Sequence, residues 1–124
     1  LKSFAGPSRA REIIAKTKAI GAGVLGIRAV QGGALTDSID RELPADHGVL
    51  TDYAKAANYR LVAKELGTTP AALAHRYALA IEGVDTVVLG CKNTTELQEC
   101  VTAEAQGPLE PEIIARIDAA ISRT

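Results

Sequence analysis

A short polar turn between a predicted strand and a predicted helix holds the residues best placed to bind an anion. The apolar run from Thr86 to Leu89 predicts a strand that stops at Gly90, and the stretch from Thr94 to about Ala105 predicts the helix that follows. The first amides of a helix lack partners within it and carry a partial positive charge, so this helix start can hold a phosphate group. Lys92 adds a mobile cation at the same place.

The same turn also has a purely structural interpretation. Asn93, followed three residues later by Glu96, forms a capping-box-like pair, and a carboxylate near a helix start suits the helix dipole. Lys92 is compatible with an ordinary solvated lysine. For Glu96 the capping role and a ligand-binding role do not exclude each other, and both stay open at this point.

The composition argues against nucleic acid and membrane partners. The 124 residues carry a net charge of −1, which provides no basic surface for nucleic acid or anionic lipid. Aromatic residues make up 3% of the chain, too few for base-stacking platforms, and no apolar run approaches a bilayer span. We expect a soluble, cytoplasmic protein. Because the sequence begins at Leu1 and contains no methionine, we also expect it to be part of something larger.

The two cysteines, Cys91 and Cys100, do not have the spacing of a metal site. We expect both to be reduced and non-catalytic, as is usual for cytosolic thiols. If Cys100 lies in the predicted helix, we expect the two sulfurs to be too far apart for an unstrained disulfide.

Helices alternating with two apolar strands predict an α/β fold. The predicted helices cover 8–19, 50–66, 69–83, 94–105 and a stretch from Pro111; the predicted strands cover 22–27 and 86–89, and the predicted loops cover 1–7 and 28–48. Ser8 is expected to cap the first helix, which turns Ile13, Ile14 and Thr17 inward. In the last helix, Ile113, Ile117 and Ile121 share one face. Short, glycine-flanked strands that are apolar on both faces are typical of buried parallel strands covered by helices. The order resembles the last quarter of a (β/α)8 TIM barrel, in which parallel strands alternate with helices.

Three linked motifs resemble the aldo-keto reductase family. Residues 23–36 (GVLGIRAVQGGALT) resemble the family's seventh strand and the loop that follows it, and residues 69–77 (TPAALAHRY) resemble its SPAQLALRW helix. Residues 87–100 (VVLGCKNTTELQEC) resemble its IPGSKNPEQLEEN segment. The resemblance implies that residues 1–124 are one incomplete domain, the C-terminal portion of a TIM barrel with strands seven and eight. It also implies an NAD(P)H-dependent reductase of aldehydes and ketones.

The resemblance further implies a cofactor site on two segments. Segment 86–105 is the expected strand-turn-helix nucleotide-binding segment, and loop 28–48 is expected to cover the cofactor. The residues expected to bind NADP(H) or NAD(H) are Gly90, Cys91, Lys92, Asn93, Glu96, Glu99 and Cys100 at the adenosine end, and Arg28, Ala29, Val30 and Gly32 at the pyrophosphate. Ile27 stands where many members place a tyrosine that stacks on nicotinamide.

Two departures from the family pattern leave the cofactor preference open. Glu96 occupies a position usually held by Arg or Gln, and a carboxylate there repels a 2′-phosphate but can accept a hydrogen bond from a ribose hydroxyl. Lys92 favours the phosphate instead. Arg28, at the end of a strand, is expected either to act in the site or to form a salt bridge with an acid of the long loop.

No catalytic residue can be assigned in this sequence. The family's catalytic Asp, Tyr, Lys and His lie on early strands, and Tyr53, Tyr59 and Tyr77 all fall in predicted helices. The chain alone is therefore predicted to be inactive, with the missing N-terminal half of the barrel as its expected partner. Two alternatives are a non-catalytic regulatory or binding subunit of the same fold and a half-barrel module that associates with itself. No metal site is expected, and the histidine His75 is expected to be structural.

Overall fold

The computed structural model describes residues 2–3, 6–7 and 9–122. In chain order the elements are β1 (Lys2–Ser3), β2 (Gly6–Pro7), α1 (Ala10–Ala19), β3 (Leu25–Ile27), α2 (Gly48–Lys55), α3 (Ala57–Glu65), α4 (Pro70–Leu79), β4 (Thr86–Val88), α5 (Thr94–Ala105) and α6 (Pro111–Ser122). A single 3-10 turn, Gln31–Gly33, interrupts the long connection from β3 to α2.

The predicted parallel pairing is confirmed. Strands β3 and β4 run parallel, with Leu25 opposite Thr86 and Ile27 opposite Val88. Asp85 fixes the start of this pair, because its carboxylate accepts a hydrogen bond from the amide of Val24 (2.7 Å). This pairing places the polar segments that follow β3 and β4 at the same edge of the sheet.

The expectation that both strands are buried is wrong for one face of the sheet. Leu25, Ile27 and Val88 are 63%, 70% and 51% exposed, whereas Gly26 and Val87, which point the other way, are half-buried. Side chains alternate along a strand, and α4 packs against β4. No described element covers the opposite face, so an apolar surface is left open.

Two other predictions about the elements are corrected. The segment 1–7, predicted as a loop, contains the antiparallel pair β1 and β2; two-residue strands are too short to show an alternating pattern. The helix predicted over 50–66 is broken at Ala56 (φ −80°, ψ 9°) into α2 and α3. At this break the Arg60 guanidinium donates to the carbonyl of Tyr53 (2.8 Å) and stacks on its ring, which stabilises the bend.

Helix termini follow the sequence closely in the second half of the chain. Thr69 caps α4 by accepting from the amide of Ala72 (3.1 Å), and Pro70 is its first residue, as predicted. The helix ends at Leu79, earlier than the predicted Gly83. Helices α5 and α6 begin where predicted. The predicted Ser8 cap lies outside the described residues, and Arg9 stands at the start of α1 without a capping side chain.

The hydrophobic core lies between α3, α4 and α6. Its largest fully buried side chains are Tyr59, Leu73 and Ile117, and the Tyr59 hydroxyl donates to the carbonyl of Pro70 (2.6 Å). The predicted inner face of α6 is confirmed. On α1, Ile14 is buried and Thr17 half-buried, but Ile13 is exposed, because this short helix contributes only a narrow face to the core.

Candidate functional site

The turn between β4 and α5 is built by two side chains that hold backbone amides. The Asn93 carbonyl oxygen accepts from the amide of Glu96 (2.9 Å), and the Glu96 carboxylate accepts from the amide of Lys92 (2.8 Å). These contacts are the capping arrangement that the sequence suggested. The amide and then the ammonium of Lys92 lower the pKa of Glu96, so this carboxylate stays ionised.

This capping leaves the first two helical amides of α5 available. Thr94 and Thr95 follow the cap residue, and amides at these positions have no acceptor within the helix. Gly90, Cys91, Lys92 and Asn93 are all exposed. The start of α5 is therefore an accessible group of donors, which suits an anionic or hydroxyl-bearing ligand.

Lys92 connects the turn to the long loop. Its ammonium forms an ion pair with Asp40 and lies 3.3 Å from Oε1 of Glu96. The contact with Asp40 brings loop 28–48 onto segment 86–105, the two segments expected to share a ligand. The sequence reasoning missed Asp40, since no pattern near that residue marks its partner. Two carboxylates around one exposed ammonium leave the turn with a local negative excess.

Loop 28–48 begins with a strained turn at the end of β3. Arg28 and Gln31 have φ of 57° and 50°, in the left-handed region that side chains disfavour, and Gly32 has φ of 68°. A hydrogen bond from the amide of Gln31 to the carbonyl of Arg28 (2.8 Å) closes the turn, and Arg41 donates to the carbonyl of Gly32 (2.7 Å). The first turn of the loop is thus held in one conformation.

The side chain of Arg28 is exposed at the edge where ligands of parallel sheets bind. Its guanidinium lies over the Gly32 backbone, 3.4 Å from where a Cβ of residue 32 would stand. Among residues 9–122 it forms no ion pair, so the salt bridge considered from the sequence is not present. Ala29 and Val30 are half-buried beside it, and Ile27 projects from the open face of the sheet.

Cys100 and Glu99 differ from the other expected site residues, because their side chains are held by α4. Cys100 is buried with Sγ 3.3 Å from Nε2 of His75, and Glu99 accepts a hydrogen bond from the Thr69 hydroxyl. Burial, followed by contact with Cys91, raises the pKa of the Cys100 thiol to about 11. Burial lowers the pKa of His75, with Glu99 opposing, so the buried histidine is neutral near pH 7.

The two thiols are much closer than the sequence suggested. Both are free, and their sulfurs lie 4.0 Å apart. Because 4.0 Å is still well above the length of a disulfide bond, the expectation that an unstrained disulfide does not form stays a prediction.

The hydroxyls of all three tyrosines make structural contacts. Tyr53 donates to the carbonyl of Asp37 (2.5 Å), and Tyr77 donates to Oδ1 of Asp118 (2.6 Å). Burial, followed by this hydrogen bond to Asp118, raises the pKa of Tyr77 to about 12. Burial raises the pKa of Tyr59 well above its ordinary range. That no tyrosine here acts as an acid stays a prediction.

Within the described residues, no three His, Cys, Asp or Glu side chains converge as a metal ion would require. No helix of that part of the chain is long and apolar enough to cross a membrane.

Two parallel strands, each followed by a polar segment and then a helix, define an α/β protein with its candidate ligand groups at the carboxyl edge of the sheet. A family model described as the aldo/keto reductase family matches residues 5–122. Since this match spans nearly the whole sequence, the chain belongs to the aldo/keto reductase family, an oxidoreductase family whose fold is the TIM barrel. No curated protein sequence matches the chain.

Proposed function

We propose that this chain forms the adenosine-phosphate end of a nicotinamide dinucleotide site in an enzyme that reduces aldehydes or ketones to alcohols. Family membership supports an oxidoreductase parent. The ion pair of Lys92 with Asp40 supports the location of the site, because it joins loop 28–48 to the β4–α5 turn. The nicotinamide dinucleotide, when bound, supplies the hydride.

The expected site residues have different roles, because some contact the cofactor and others support the site. In this proposal Gly90 to Asn93 and the first amides of α5 hold the adenosine ribose, and Arg28 to Gly32 cover the pyrophosphate. Glu99 and Cys100 shape the site from behind instead of touching the ligand, since α4 holds both side chains. All remain part of one site at the carboxyl edge of β3 and β4.

The charge at the turn favours a ribose with a free 2′-hydroxyl. Asp40 and Glu96 flank Lys92, so a 2′-phosphate would meet two carboxylates for one ammonium. A hydroxyl can instead donate to a carboxylate, as it does in sites that prefer NAD(H). We therefore propose NAD(H) as the preferred cofactor.

Calorimetric titration with ADP-ribose tests this site without requiring catalysis. We expect Lys92→Ala to weaken binding about fivefold, the equivalent of about 1 kcal/mol for an exposed ion pair that orders the loop. Lys64→Ala, on the exposed side of α3, is the matched control and should bind as the parent does. Equal loss in both variants, or no binding by the parent chain, would contradict the proposed site.

The catalytic acid lies outside these 124 residues in this proposal. Each tyrosine hydroxyl already donates to a structural acceptor, so none is free to protonate a carbonyl oxygen. The chain alone should then show no oxidation of NADH or NADPH with an aldehyde. Turnover by the purified chain would refute this assignment. We further propose a cytoplasmic location, where two unpaired thiols are normally stable.

The open face of the sheet favours a second candidate, in which the chain pairs with a further barrel segment or with itself. Leu25, Ile27 and Val88 form an exposed apolar surface on two strands with unpaired edges. Sedimentation velocity decides whether the chain self-associates. If it does, Ile27→Lys should restore the monomer, whereas Leu61→Lys, at an exposed position on α3, should not. A chain that is monomeric at all concentrations would exclude self-association.

A further inference from the structure

The two cysteines of the β4–α5 segment form a pair that no part of the proposed reaction uses. Their sulfurs lie 4.0 Å apart, and a disulfide bond requires about 2.05 Å. Closing that gap needs a movement of about 2 Å, which an exposed turn can make more easily than a packed helix. We propose that Cys91 and Cys100 are a peroxide-responsive thiol pair that closes to an intrachain disulfide across the start of α5.

The surroundings of the two thiols assign each a different role. Cys91 is exposed and can reach a dissolved oxidant, whereas Cys100 is buried. Hydrogen peroxide oxidises the Cys91 thiol to a sulfenic acid and is itself reduced to water. The Cys100 sulfur then attacks the Cys91 sulfur, the S–O bond breaks, and the hydroxyl leaves as a second water with the Cys100 proton.

His75 positions the resolving thiol. Its Nε2 lies 3.3 Å from the Cys100 sulfur, and both side chains are buried, so Cys100 has little freedom to turn away from Cys91. Burial, followed by contact with Cys91, raises the pKa of the Cys100 thiol, so the exposed Cys91 is the sulfur that meets the oxidant first.

Closure must move the turn, because Cys100 is fixed and Cys91 is not. Pulling Cys91 toward α5 displaces the neighbouring Lys92, whose amide donates to Glu96 and whose ammonium pairs with Asp40. The disulfide would therefore detach loop 28–48 from the turn. Its effect on nucleotide binding rests on the proposed function, whereas formation of the bond does not.

Intact mass after peroxide treatment and alkylation tests the pair in the folded chain. We expect a monomer whose mass is lower by two hydrogens, which takes up no alkylating reagent and is restored by dithiothreitol. In Cys100→Ser the exposed Cys91 should accumulate as a sulfenic acid that dimedone traps. In the parent chain that trapping should be about tenfold lower than in the same chain unfolded in urea, because folding holds the resolving sulfur close by.

Other results separate the proposed pair from its coupling to the turn. Oxygen uptake on Cys91 with Cys100 still open to alkylation, a disulfide between two chains, or equal trapping in the folded and unfolded chain would each overturn the proposed pair. If the intrachain bond forms, ADP-ribose titration should show at least threefold weaker binding by the oxidised chain. Equal binding by both forms would overturn the coupling to the turn, and no binding by either form would count against the proposed function alone.

Discussion

The glycine before β4 determines how closely α1 approaches the sheet. Gly83 has φ of 85°, and a Cβ at this residue would lie 2.6 Å from Cγ2 of the buried Ile14. We predict that Gly83→Ala destabilises the fold in two ways: the left-handed φ costs about 1–2 kcal/mol and the overlap with Ile14 costs about 1–3 kcal/mol, which together give about 2–5 kcal/mol. Since small domains are stable by about 5–15 kcal/mol, this loss is readily measured.

Urea unfolding followed by circular dichroism separates the two contributions. Gly107 has φ of 77° and nothing within 4 Å of its would-be Cβ, so Gly107→Ala carries only the backbone cost of about 1–2 kcal/mol. Gly67, with φ of 65° and the same open space, serves as a second control. We expect both control variants to lose less stability than Gly83→Ala, by the size of the overlap cost.

A second substitution identifies the clashing atom. Ile14→Leu removes the branched Cγ2 methyl while conserving volume, and alone it should cost less than about 1.5 kcal/mol. Combined with Gly83→Ala it should be less destabilising than the sum of the single changes, and it should recover folding if Gly83→Ala does not fold. Equal losses at Gly83 and Gly107, or strictly additive effects with Ile14→Leu, would refute the close approach of α1.

Three further predictions concern single contacts. Tyr59→Phe removes a buried hydroxyl and its hydrogen bond to the carbonyl of Pro70, so we expect a loss of about 0.5–1.5 kcal/mol of unfolding free energy by urea titration. Tyr53→Phe, whose hydroxyl contact is exposed, should cost less. Hydrogen bonds from Lys18 of α1 and from the amide of Val24 lower the pKa of Asp85 below its ordinary value of 3.8. The stabilising effect of this carboxylate is complete above pH 3.8 and is lost as the pH falls through the lowered pKa. Asp85→Asn should therefore flatten the acid side of a curve of stability against pH. Asp40→Asn should raise the ratio of the affinities for 2′-phospho-ADP-ribose and ADP-ribose about threefold in calorimetric titrations. Asp46→Asn, elsewhere in the loop, should leave this ratio unchanged. An unchanged ratio in Asp40→Asn would remove the charge argument for NAD(H).

The sequence by itself determined the helices of the second half of the chain. Thr69-Pro70, Asn93 and Pro111 mark helix starts through local chemistry, since a capping oxygen or a fixed proline φ acts within a few residues. The inner face of α6 follows from the spacing of its isoleucines. The parallel pairing of two apolar strands joined by helices was likewise predictable, because such connections leave few other arrangements.

Local signals were weaker where the chain depends on distant partners. The break at Ala56 is stabilised by a guanidinium from the next helix, and nothing in the run from 50 to 66 interrupts its helical pattern. The strands looked buried because their residues are apolar on both faces, yet burial depends on what lies over each face.

Only the tertiary structure decided the contacts that define the candidate site. Lys92 in the turn after β4 pairs with Asp40 in the long loop after β3, so the two residues are far apart in sequence. A long loop gives no sequence signal for such a contact. Cys91 and Cys100 come together because a turn folds back on its own helix, and this depends on backbone angles that residue types leave free. Sequence pattern determines elements through short-range energetics, whereas the pairing of side chains across loops is set by how those elements pack.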